Sequence, residues 1–551
     1  MPSLSRRDAF KLGGLAALGA AGLAIPWGAV DASSASLLPS SKMPKPYQVP
    51  FARLEALPKN EVLTDQFGQI DVYRNEAKLG KARIVPNMDT PVLGYEGKVP
   101  GRMISVEQGT RVQMAMRNQL PEVHPTFGTP TRISTHLHGS ASLPQYDGYA
   151  SDVTEVGQKK LYHYPNFQSA RTLWYHDHGV HFTSQNAYSG LAAQYHLHDP
   201  MERALLPQNE FDVGLTVSDM MFQADGSQLW DDRSHSGLWG DVILVNGAPW
   251  PVMKVKRRVY RFRVLNASIS RSYNFSTSPA APMYMVATDG GLMPVSQNVS
   301  SWRHGSAERY EVLIDFSGFK AGTRIELRNA SNPNNRDYDN TGKVMAFDVV
   351  DDGFDPNDPT ARTIPQSLNP GNDIMRLTPA SSMKVRNIRV ERSDSSQQWM
   401  LNGQTWDDVI KSGYTSVLAN PNVGDTEIWE IENKSGGWFH PVHIHLIDFR
   451  ILSRNGKDPF AYEKGPKDVV YVGEGEKVRL IMKFGDITRP DHLAPRTGKY
   501  MVHCHNLAHE DHDMMHQFSV GQGTPDAAVN DPINADKPCG DDESFVDQQR
   551  Y

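Results

Sequence analysis

The stretch Thr426-Glu-Ile-Trp-Glu-Ile-Glu-Asn433 alternates polar and apolar residues and ends in asparagine. Strict alternation predicts a half-buried β-strand, and the closing asparagine predicts a turn directly after it. Two further stretches share this pattern, Arg111-Val-Gln-Met-Ala-Met-Arg-Asn118 and Val259-Tyr-Arg-Phe-Arg-Val-Leu-Asn266. Three copies of one strand in a single chain indicate three related β-units.

The surroundings of these strands extend the prediction to whole domains. Many short strands between glycine- and proline-rich turns favour sandwiches or barrels. The sequence therefore predicts an all-β protein with domains at residues 45–205, 206–370 and 371–523, and a linker at 351–373. Residues 524–551 are acidic and contain proline, which predicts a loosely ordered tail. A glycine-containing segment precedes each repeated strand: Leu93-Gly-Tyr-Glu-Gly97, Val245-Asn-Gly247 and Leu401-Asn-Gly403.

Residues 1–35 are predicted to be a cleaved export signal. Arg6 and Arg7 form a twin-arginine pair, and the apolar stretch 12–25 that follows is too short to span a bilayer. The segment resembles a twin-arginine signal, which implies the twin-arginine export machinery as a partner and a bacterial protein that is periplasmic or secreted. A plain basic terminus is the alternative.

Composition excludes several classes of protein. The 551 residues suffice for several hydrophobic cores, and 39% hydrophobic with 22% charged residues is typical of a globular protein. A net charge of −7 argues against a nucleic-acid partner, and the sequence has no apolar run long enough for a membrane span. With only Cys504 and Cys539, no disulfide framework exists, whereas there are 20 histidines.

Ten of these histidines lie in four short motifs. Residues i and i+2 of a strand point to the same face, so each His-x-His pair predicts two adjacent imidazoles. Imidazole suits copper and zinc, and a thiolate with two histidines and a weak methionine describes a blue copper site. Structural zinc sites favour cysteine pairs and fit this pattern less well. The motifs are His136-Leu-His138, His176-Asp-His178, His440-Pro-Val-His443-Ile-His445 and His503-Cys504-His505-Asn-Leu-Ala-His509.

The first and third domains differ at the cysteine. Asp177 of the first domain stands where Cys504 stands in the third, and Phe182 stands where His509 stands. Ala187 likewise replaces Met514, so the first domain keeps its histidine pairs but lacks a thiolate site. The middle domain contains no His-x-His pair. The shared site is therefore predicted to lie between the first and third domains.

The four motifs, together with stretches such as Phe167-Gln-Ser-Ala-Arg-Thr-Leu-Trp174 and Trp239-Gly-Asp-Val-Ile-Leu-Val-Asn-Gly247, resemble the three-domain multicopper oxidases. The likeness is to the laccase and bilirubin oxidase type, with spore-coat laccase and phenoxazinone synthase also similar. It implies three cupredoxin-like Greek-key β-barrel domains and four copper ions. It also implies one-electron oxidation of phenols, aminophenols or bilirubin-like tetrapyrroles, coupled to four-electron reduction of O2 to water.

The resemblance also implies a role for each ligand. His440, Cys504 and His509 would bind the type 1 copper, with Met514 axial because it lies ten residues after the cysteine. His136 and His443 would bind the type 2 copper. The type 3 pair would be held by His138, His176, His178, His445, His503 and His505.

Four further positions carry expectations. Asp147 and Glu510 match acidic positions that deliver protons in this family. Taken alone, the Asp-Gly pair at 147–148 also favours a tight turn, and Glu510 could simply orient a neighbouring ligand. Trp438 and Phe439 are expected to offer an aromatic surface to the electron donor, the alternative being ordinary packing.

Competing functions follow from the same motifs. Oxidation of cuprous, ferrous or manganous ions is the main alternative, since donor pockets are made by loops that vary freely. A copper-free, non-enzymatic member of the fold is disfavoured because every ligand position is filled. A copper nitrite reductase would need a different ligand set from the eight-histidine cluster.

Overall fold

A computed structural model gives the structure of residues 35–521, apart from residues 233, 234, 352, 354, 356–362, 394, 486–488 and 494. It also gives the backbone of residues 537 and 538. The predicted export signal, except its last residue, lies outside the described residues, as do Cys539 and most of the predicted tail.

The first β-unit consists of nine strands. They are β1 Glu61–Asp65, β2 Gly68–Ala82, β3 Thr90–Tyr95, β4 Ile104–Glu107, β5 Arg111–Gln119, β6 Thr135–His138, β7 Gln158–Tyr164, β8 Arg171–Asp177 and β9 Ala192–His198. One sheet has the order β1-β2-β5-β7, with β3 paired to the later part of β2, and the second has the order β4-β9-β8-β6.

The second β-unit consists of twelve strands. They are β10 Asp212–Met220, β11 Val242–Val245, β12 Ala248–Pro249, β13 Val252–Val255, β14 Val259–Asn266, β15 Tyr273–Ser278, β16 Met283–Thr288, β17 Gly291–Val299, β18 Ser301–His304, β19 Arg309–Asp315, β20 Arg324–Asn329 and β21 Lys343–Val349. Its sheets have the orders β12-β11-β10-β14-β19-β16-β17 and β13-β21-β20-β15-β18.

The third β-unit again forms two sheets. Its strands are β22 Lys384–Arg392, β23 Trp399–Leu401, β24 Thr426–Asn433, β25 His440–Ile444, β26 Phe449–Arg454, β27 Val469–Val472, β28 Lys477–Lys483, β29 Gly498–Cys504 and β30 Met515–Val520. The sheet orders are β23-β22-β24-β28-β26 and β27-β25-β29-β30. A last short strand, β31 Lys537–Pro538, pairs with β7 of the first unit.

Helices are short and few among the described residues. The α-helices are α1 Thr183–Ser189, α2 Pro200–Leu205, α3 Trp406–Lys411 and α4 Leu507–Asp511, and single 3-10 turns occur at Pro144–Tyr146, Asn209–Phe211 and Ala461–Glu463. Within the described part of the chain, every helix is too short or too polar to cross a bilayer.

The three repeated strands occupy the same place in their units. Strands β5, β14 and β24 each pair in parallel with an earlier strand, namely β2, β10 and β22. Each also pairs antiparallel with a later strand, namely β7, β19 and β28. The predicted bounds of β14 and β24 are confirmed, and β5 is one residue longer than predicted. The prediction of an all-β chain with three related units is therefore confirmed.

A buried asparagine at the end of each repeated strand ties the following loop to the sheet. The side-chain oxygens of Asn118, Asn266 and Asn433 accept the backbone N–H two residues later at 3.1, 2.9 and 3.0 Å. The side-chain nitrogen of Asn266 also donates to the carbonyls of Arg271 and His304 at 2.8 and 3.1 Å. The predicted turn is therefore held by the asparagine itself.

Two chain segments outside the sheets pack on the second unit. Residues 36–51 run along the second unit, where the Leu37 N–H donates to the Phe222 carbonyl at 2.7 Å. The predicted linker 351–373 is partly packed there as well, since Leu368 is buried in the core of that unit. Both segments carry apolar side chains that the second unit covers, although the domain boundaries themselves stay a prediction.

We predict that Asn266→Ala lowers the thermal stability of the protein. The change leaves two buried carbonyls and one buried N–H without their partner, which costs about 2–4 kcal/mol. That loss corresponds to several degrees in the melting temperature measured by calorimetry. Asn298→Ala, at an exposed position of the same unit, is the matched control. Equal melting temperatures for the two variants would contradict the proposed role of Asn266.

Candidate metal centre

Two antiparallel strand pairs bring the histidine motifs together. His136 on β6 lies directly opposite His176 on β8, and His443 on β25 lies directly opposite His503 on β29. The first and third units thus use the same register, which places two imidazoles side by side across each pair of strands. In all four His-x-His pairs the ring centroids lie 4.7–5.9 Å apart, so the predicted adjacency is confirmed.

Eight buried imidazoles from the two units meet in one cluster. Six of them fall into two sets of three, in each of which one nitrogen per residue lies within 4.8 Å of the others, and His138 also belongs to a further such set with His136 and His443. His136 and His443 lie alongside, with ring centroids 5.7 Å apart. The two sets of three are His138, His176 and His505, and His178, His445 and His503.

Ring nitrogens in the second set face one another. The Nε2 atom of His503 lies 3.1 Å from that of His178 and 3.2 Å from that of His445. The outer nitrogen of His445 faces the Asp147 carboxylate at 2.7 Å, and that of His503 faces the Cys504 carbonyl at 3.3 Å. With protons on their outer nitrogens, His445 and His503 present Nε2 lone pairs to each other, and a cation between them would make that arrangement favourable.

Other nitrogens of the cluster lack any protein partner. Six of the eight imidazoles have a buried ring nitrogen that makes no hydrogen bond among the described residues. Buried polar atoms without partners are rare in folded proteins and call for an explanation such as an ion. The atoms are His136 Nε2, His138 Nδ1, His176 Nε2, His178 Nδ1, His443 Nε2 and both ring nitrogens of His505.

A separate set lies on the opposite face of β29. The Cys504 sulfur is 3.3 Å from His440 Nδ1 and 3.7 Å from His509 Nδ1, and the two Nδ1 atoms are 3.2 Å apart. The outer Nε2 atoms face the Ser435 hydroxyl at 2.8 Å and the Ser236 carbonyl at 2.9 Å. The protons of both imidazoles therefore lie on the outer Nε2 atoms. The two Nδ1 lone pairs and the Cys504 sulfur converge on one point. This is the donor set of a blue copper site.

The two neighbouring methionines lie in different surroundings. Met514 belongs to the same hydrophobic cluster as Cys504, and its backbone N–H donates to the His509 carbonyl at 2.9 Å. Met515 packs instead in a small cluster with Tyr149 and Trp406. These surroundings are consistent with the prediction, made from its spacing to Cys504, that Met514 is the ligand.

The two predicted acids both touch imidazoles of the cluster. The Asp147 carboxylate accepts from His445 Nδ1 at 2.7 Å, and its carbonyl accepts from His136 Nδ1. The Glu510 carboxylate lies 2.8 Å from His503 Nδ1. Burial raises the pKa of Asp147 well above its usual range and that of Glu510 to about 7. Both groups can therefore hold a proton near neutral pH.

Asp468 and Arg309 contact the cluster although neither was predicted. The Asp468 carboxylate accepts from His138 Nε2 at 3.1 Å, and its carbonyl accepts from His443 Nδ1 at 2.9 Å. Arg309, from the second unit, donates to the same carboxylate at 2.7 Å. His138 lies 330 positions and Arg309 lies 159 positions from Asp468 in the sequence. No local motif therefore identifies Asp468 as a neighbour of the cluster.

The aromatic surroundings of His509 differ from the prediction in part. Trp438 is half-buried and lies edge-on to His509 at 5.9 Å. Phe439 is only 3% exposed and stacks on Tyr471, so the expectation that it faces a donor is wrong. Trp399, which was not predicted, stacks on His509 with ring centroids 3.8 Å apart.

Protonation states in the cluster favour metal binding. Burial lowers the pKa of His440 and His503 to about 3 and that of His178 to about 4, so these imidazoles are neutral ligands at neutral pH. Burial raises the pKa of the Cys504 thiol well above its usual range. The thiol would therefore lose its proton only on binding a metal ion, and imidazole with thiolate is a set that fits copper.

Comparisons with known proteins agree with this donor set. Family models described as multicopper oxidase match residues 77–202 and 379–524. Bilirubin oxidase from Albifimbria verrucaria is 39% identical over 85% of this chain and 79% of its own length. A laccase from Bacillus subtilis strain 168 is 32% identical over 78% of this chain and 90% of its own. The crystal structure of the McoA multicopper oxidase from Aquifex aeolicus matches with a TM-score of 0.71 and 26% identity over 86% of this chain and all of that one.

We predict that removing copper destabilises the folded protein. Without a cation the facing lone pairs at the two sets repel each other inside a buried cluster. The melting temperature of chelator-treated protein should fall by about 5 °C or more, and added copper should restore it. Identical melting curves for the copper-loaded and copper-free protein would contradict this account.

Proposed function

The chain belongs to the multicopper oxidase family, and we propose that it is an exported enzyme that oxidises organic donors at the Cys504 site. As a family member it is a copper-containing oxidoreductase that uses O2, with three cupredoxin-like domains and four copper ions. The observation that carries the proposal is the alternation along β29. Cys504 faces one cluster of donors, while His503 and His505 on either side face the other.

We assign the copper ligands as follows. His440, Cys504 and His509 would bind the type 1 ion, with Met514 as a weak fourth ligand. His136 and His443 bind the type 2 ion, and the two sets of three histidines each bind one ion of the type 3 pair. The free nitrogens and facing lone pairs described above support this division.

The bound copper ions supply one-electron acceptance from the donor and multi-electron delivery to O2 when they are present. The chain itself connects the two sites. The Cys504 backbone continues into His503 on one side and His505 on the other, so electrons have a path of a few covalent bonds from the sulfur to the inner imidazoles. Complete burial of the inner cluster excludes bulk water and organic donors from it.

Asp147 and Glu510 are proposed to hold and deliver the protons that water formation needs. Both carboxyl groups lie against imidazoles of the inner cluster. Their raised pKa values keep a proton available near neutral pH. Each acid also accepts or approaches a ring N–H, so the same groups orient the ligands.

Organic donors, including bilirubin-like tetrapyrroles, phenols and aminophenols, are the proposed reductants. Two observations support this class: the 39% identity to a bilirubin oxidase, and the half-buried indole of Trp438, which lies edge-on to His509. Flat conjugated donors pack well on such rings, whereas hydrated cations do not. Oxidation of cuprous, ferrous or manganous ions remains the competing outcome of the test below.

Export through the twin-arginine route is also proposed, with the mature enzyme periplasmic or secreted. The support is the sequence around Arg6 and Arg7, followed by the short apolar stretch 12–25. Replacing both arginines by lysines should retain the protein in the cytoplasm, which cell fractionation would detect.

We predict that Met514→Leu raises the reduction potential of the type 1 copper and that Met514→Gln lowers it. The axial ligand tunes this potential, and a weaker axial donor favours the reduced ion. Voltammetry of the copper-loaded variants provides the measurement. Met515→Leu is the control, because Met515 packs away from Cys504. A shift in the Met515 variant alone would show that the axial assignment is wrong.

Asp147→Asn and Glu510→Gln are predicted to slow reoxidation by O2 by about a hundredfold, since each removes a proton donor. Reduction of the type 1 copper under anaerobic conditions should keep its rate, because both carboxyl groups contact imidazoles of the inner cluster. Rapid mixing followed at the blue band separates the two half-reactions. Glu432→Gln, at a surface position, is the control. Equal slowing of both half-reactions would indicate a structural role instead.

Bilirubin and a dimethoxyphenol are predicted to have a higher kcat/KM than ferrous or cuprous ion. Oxygen uptake with bilirubin, the dimethoxyphenol, an o-aminophenol and both ions, measured side by side, tests this. Cys504→Ser supplies the background rate for each donor. A kcat/KM for either ion well above that of every organic donor would favour the metal-oxidase function.

A further inference from the structure

A group of metal-ligating side chains outside the assigned copper ligands lies beside the Cys504 site. It consists of Asp232 and His235, from the loop before β11, and His512, from the turn after α4. The rings of His235 and His512 stack with centroids 3.5 Å apart and planes 15° apart. The Asp232 carboxylate lies 3.4 Å from His512 Nε2. All three side chains are half-buried, so an ion from solvent can reach them.

One ring nitrogen of this group lacks a hydrogen-bond partner. His512 Nε2 is buried and makes no hydrogen bond within the described part of the chain, although the Asp232 carboxylate lies at ion-pair distance. A buried polar atom without a hydrogen bond calls for an explanation such as an ion. A cation that both groups ligate would account for a nitrogen and a carboxylate that approach each other without a hydrogen bond.

The ring stack has a counterpart in the inner cluster. His138 and His443 stack with centroids 3.6 Å apart and planes 15° apart, and one nitrogen of each lies within 4.8 Å of the other and of His136. Two nearly parallel imidazoles at this separation can therefore direct one nitrogen each at a single ion. The pair formed by His235 and His512 has the same geometry and adds a carboxylate as the third ligand.

The protonation state of His235 also suits a cation. Burial lowers the pKa of His235 to about 4, and repulsion from His512 adds to the effect, while the Asp232 charge opposes it. His235 is therefore a neutral imidazole at neutral pH, the form that ligates a metal ion. Arg392 contributes to the lowered pKa as well, and its positive charge would weaken the binding of a cation.

We propose that Asp232, His235 and His512 bind a divalent transition-metal ion such as zinc. Two imidazoles and one carboxylate form a known zinc-ligand set, in which water fills the fourth position. The ion would be additional to the four copper ions and would not be oxidised. The proposal therefore does not depend on which donor the enzyme oxidises.

Backbone contacts connect this group to a ligand of the type 1 copper. The His512 N–H donates to the His509 carbonyl at 3.2 Å, and the carbonyl of Ser236, which follows His235, accepts from His509 Nε2 at 2.9 Å. A positive charge held here repels the oxidised copper ion more strongly than the reduced one. Binding of the ion should therefore raise the type 1 potential.

Calorimetric titration of the copper-loaded protein with zinc chloride tests the proposal, because zinc has no redox chemistry and reports binding alone. The wild type should bind one zinc ion per chain. His235→Gln and His512→Gln should each weaken this binding about tenfold or more. His492→Gln is the matched control, since it removes an exposed histidine that stacks on Phe67, and it should keep the wild-type affinity.

The blue band should keep its intensity in all three variants, which would show that the type 1 site is intact. A redox titration followed at this band should give a higher potential with zinc than without it in the wild type, and equal potentials in the variant that lacks both histidines. Anomalous diffraction from zinc-soaked crystals should place the ion about 2.0–2.2 Å from both imidazoles and the carboxylate.

A wild type that binds no zinc would overturn the inference, and so would equal zinc affinities in the wild type and both histidine variants. Neither result would touch the oxidase function. A colourless copper-loaded wild type would contradict the oxidase function instead, and the calorimetric comparison of the wild type with the histidine variants would still decide the zinc site.

Discussion

The convergence of neutral imidazole nitrogens in a buried space is the constraint on which the rest of this structure depends. Nε2 atoms of His178 and His445 both face that of His503, and the Nδ1 atoms of His440 and His509 face each other beside a sulfur. Lone pairs held this close in a medium of low dielectric repel one another unless a cation lies between them. The outer hydrogen bonds of His440, His445, His503 and His509 therefore favour metal binding at both clusters.

The second domain holds no ligand of its own, yet it positions both clusters. Arg309 donates to Asp468, which accepts from His138, and the Ser236 carbonyl accepts from His509. Arg309 is fully buried and also bonds to a carbonyl of the first domain at 2.9 Å. The second unit thus joins the first and third units through charged and polar contacts at the clusters themselves.

Local sequence patterns predicted the features that depend only on neighbouring residues of the chain. The alternation in 426–433 and its two relatives led to β5, β14 and β24, and the i, i+2 rule led to adjacent imidazoles within each motif. The division of six histidines into two sets of three could not be predicted, because it depends on how two domains meet. Asp468 was missed for the same reason. Phe439 was misjudged because its orientation depends on packing against Tyr471, which lies on another strand.

The central claim is that β29 separates two copper sites by strand alternation, with the Cys504 sulfur on one face. The most direct measurement is the copper content and electron paramagnetic resonance spectrum of Cys504→Ser, compared with the wild type. The account predicts that the variant loses the blue band and the type 1 signal, and that it binds one copper fewer than the four of the wild type while keeping the type 2 signal. A variant that stays blue, or that loses the type 2 signal together with the type 1 signal, would contradict it.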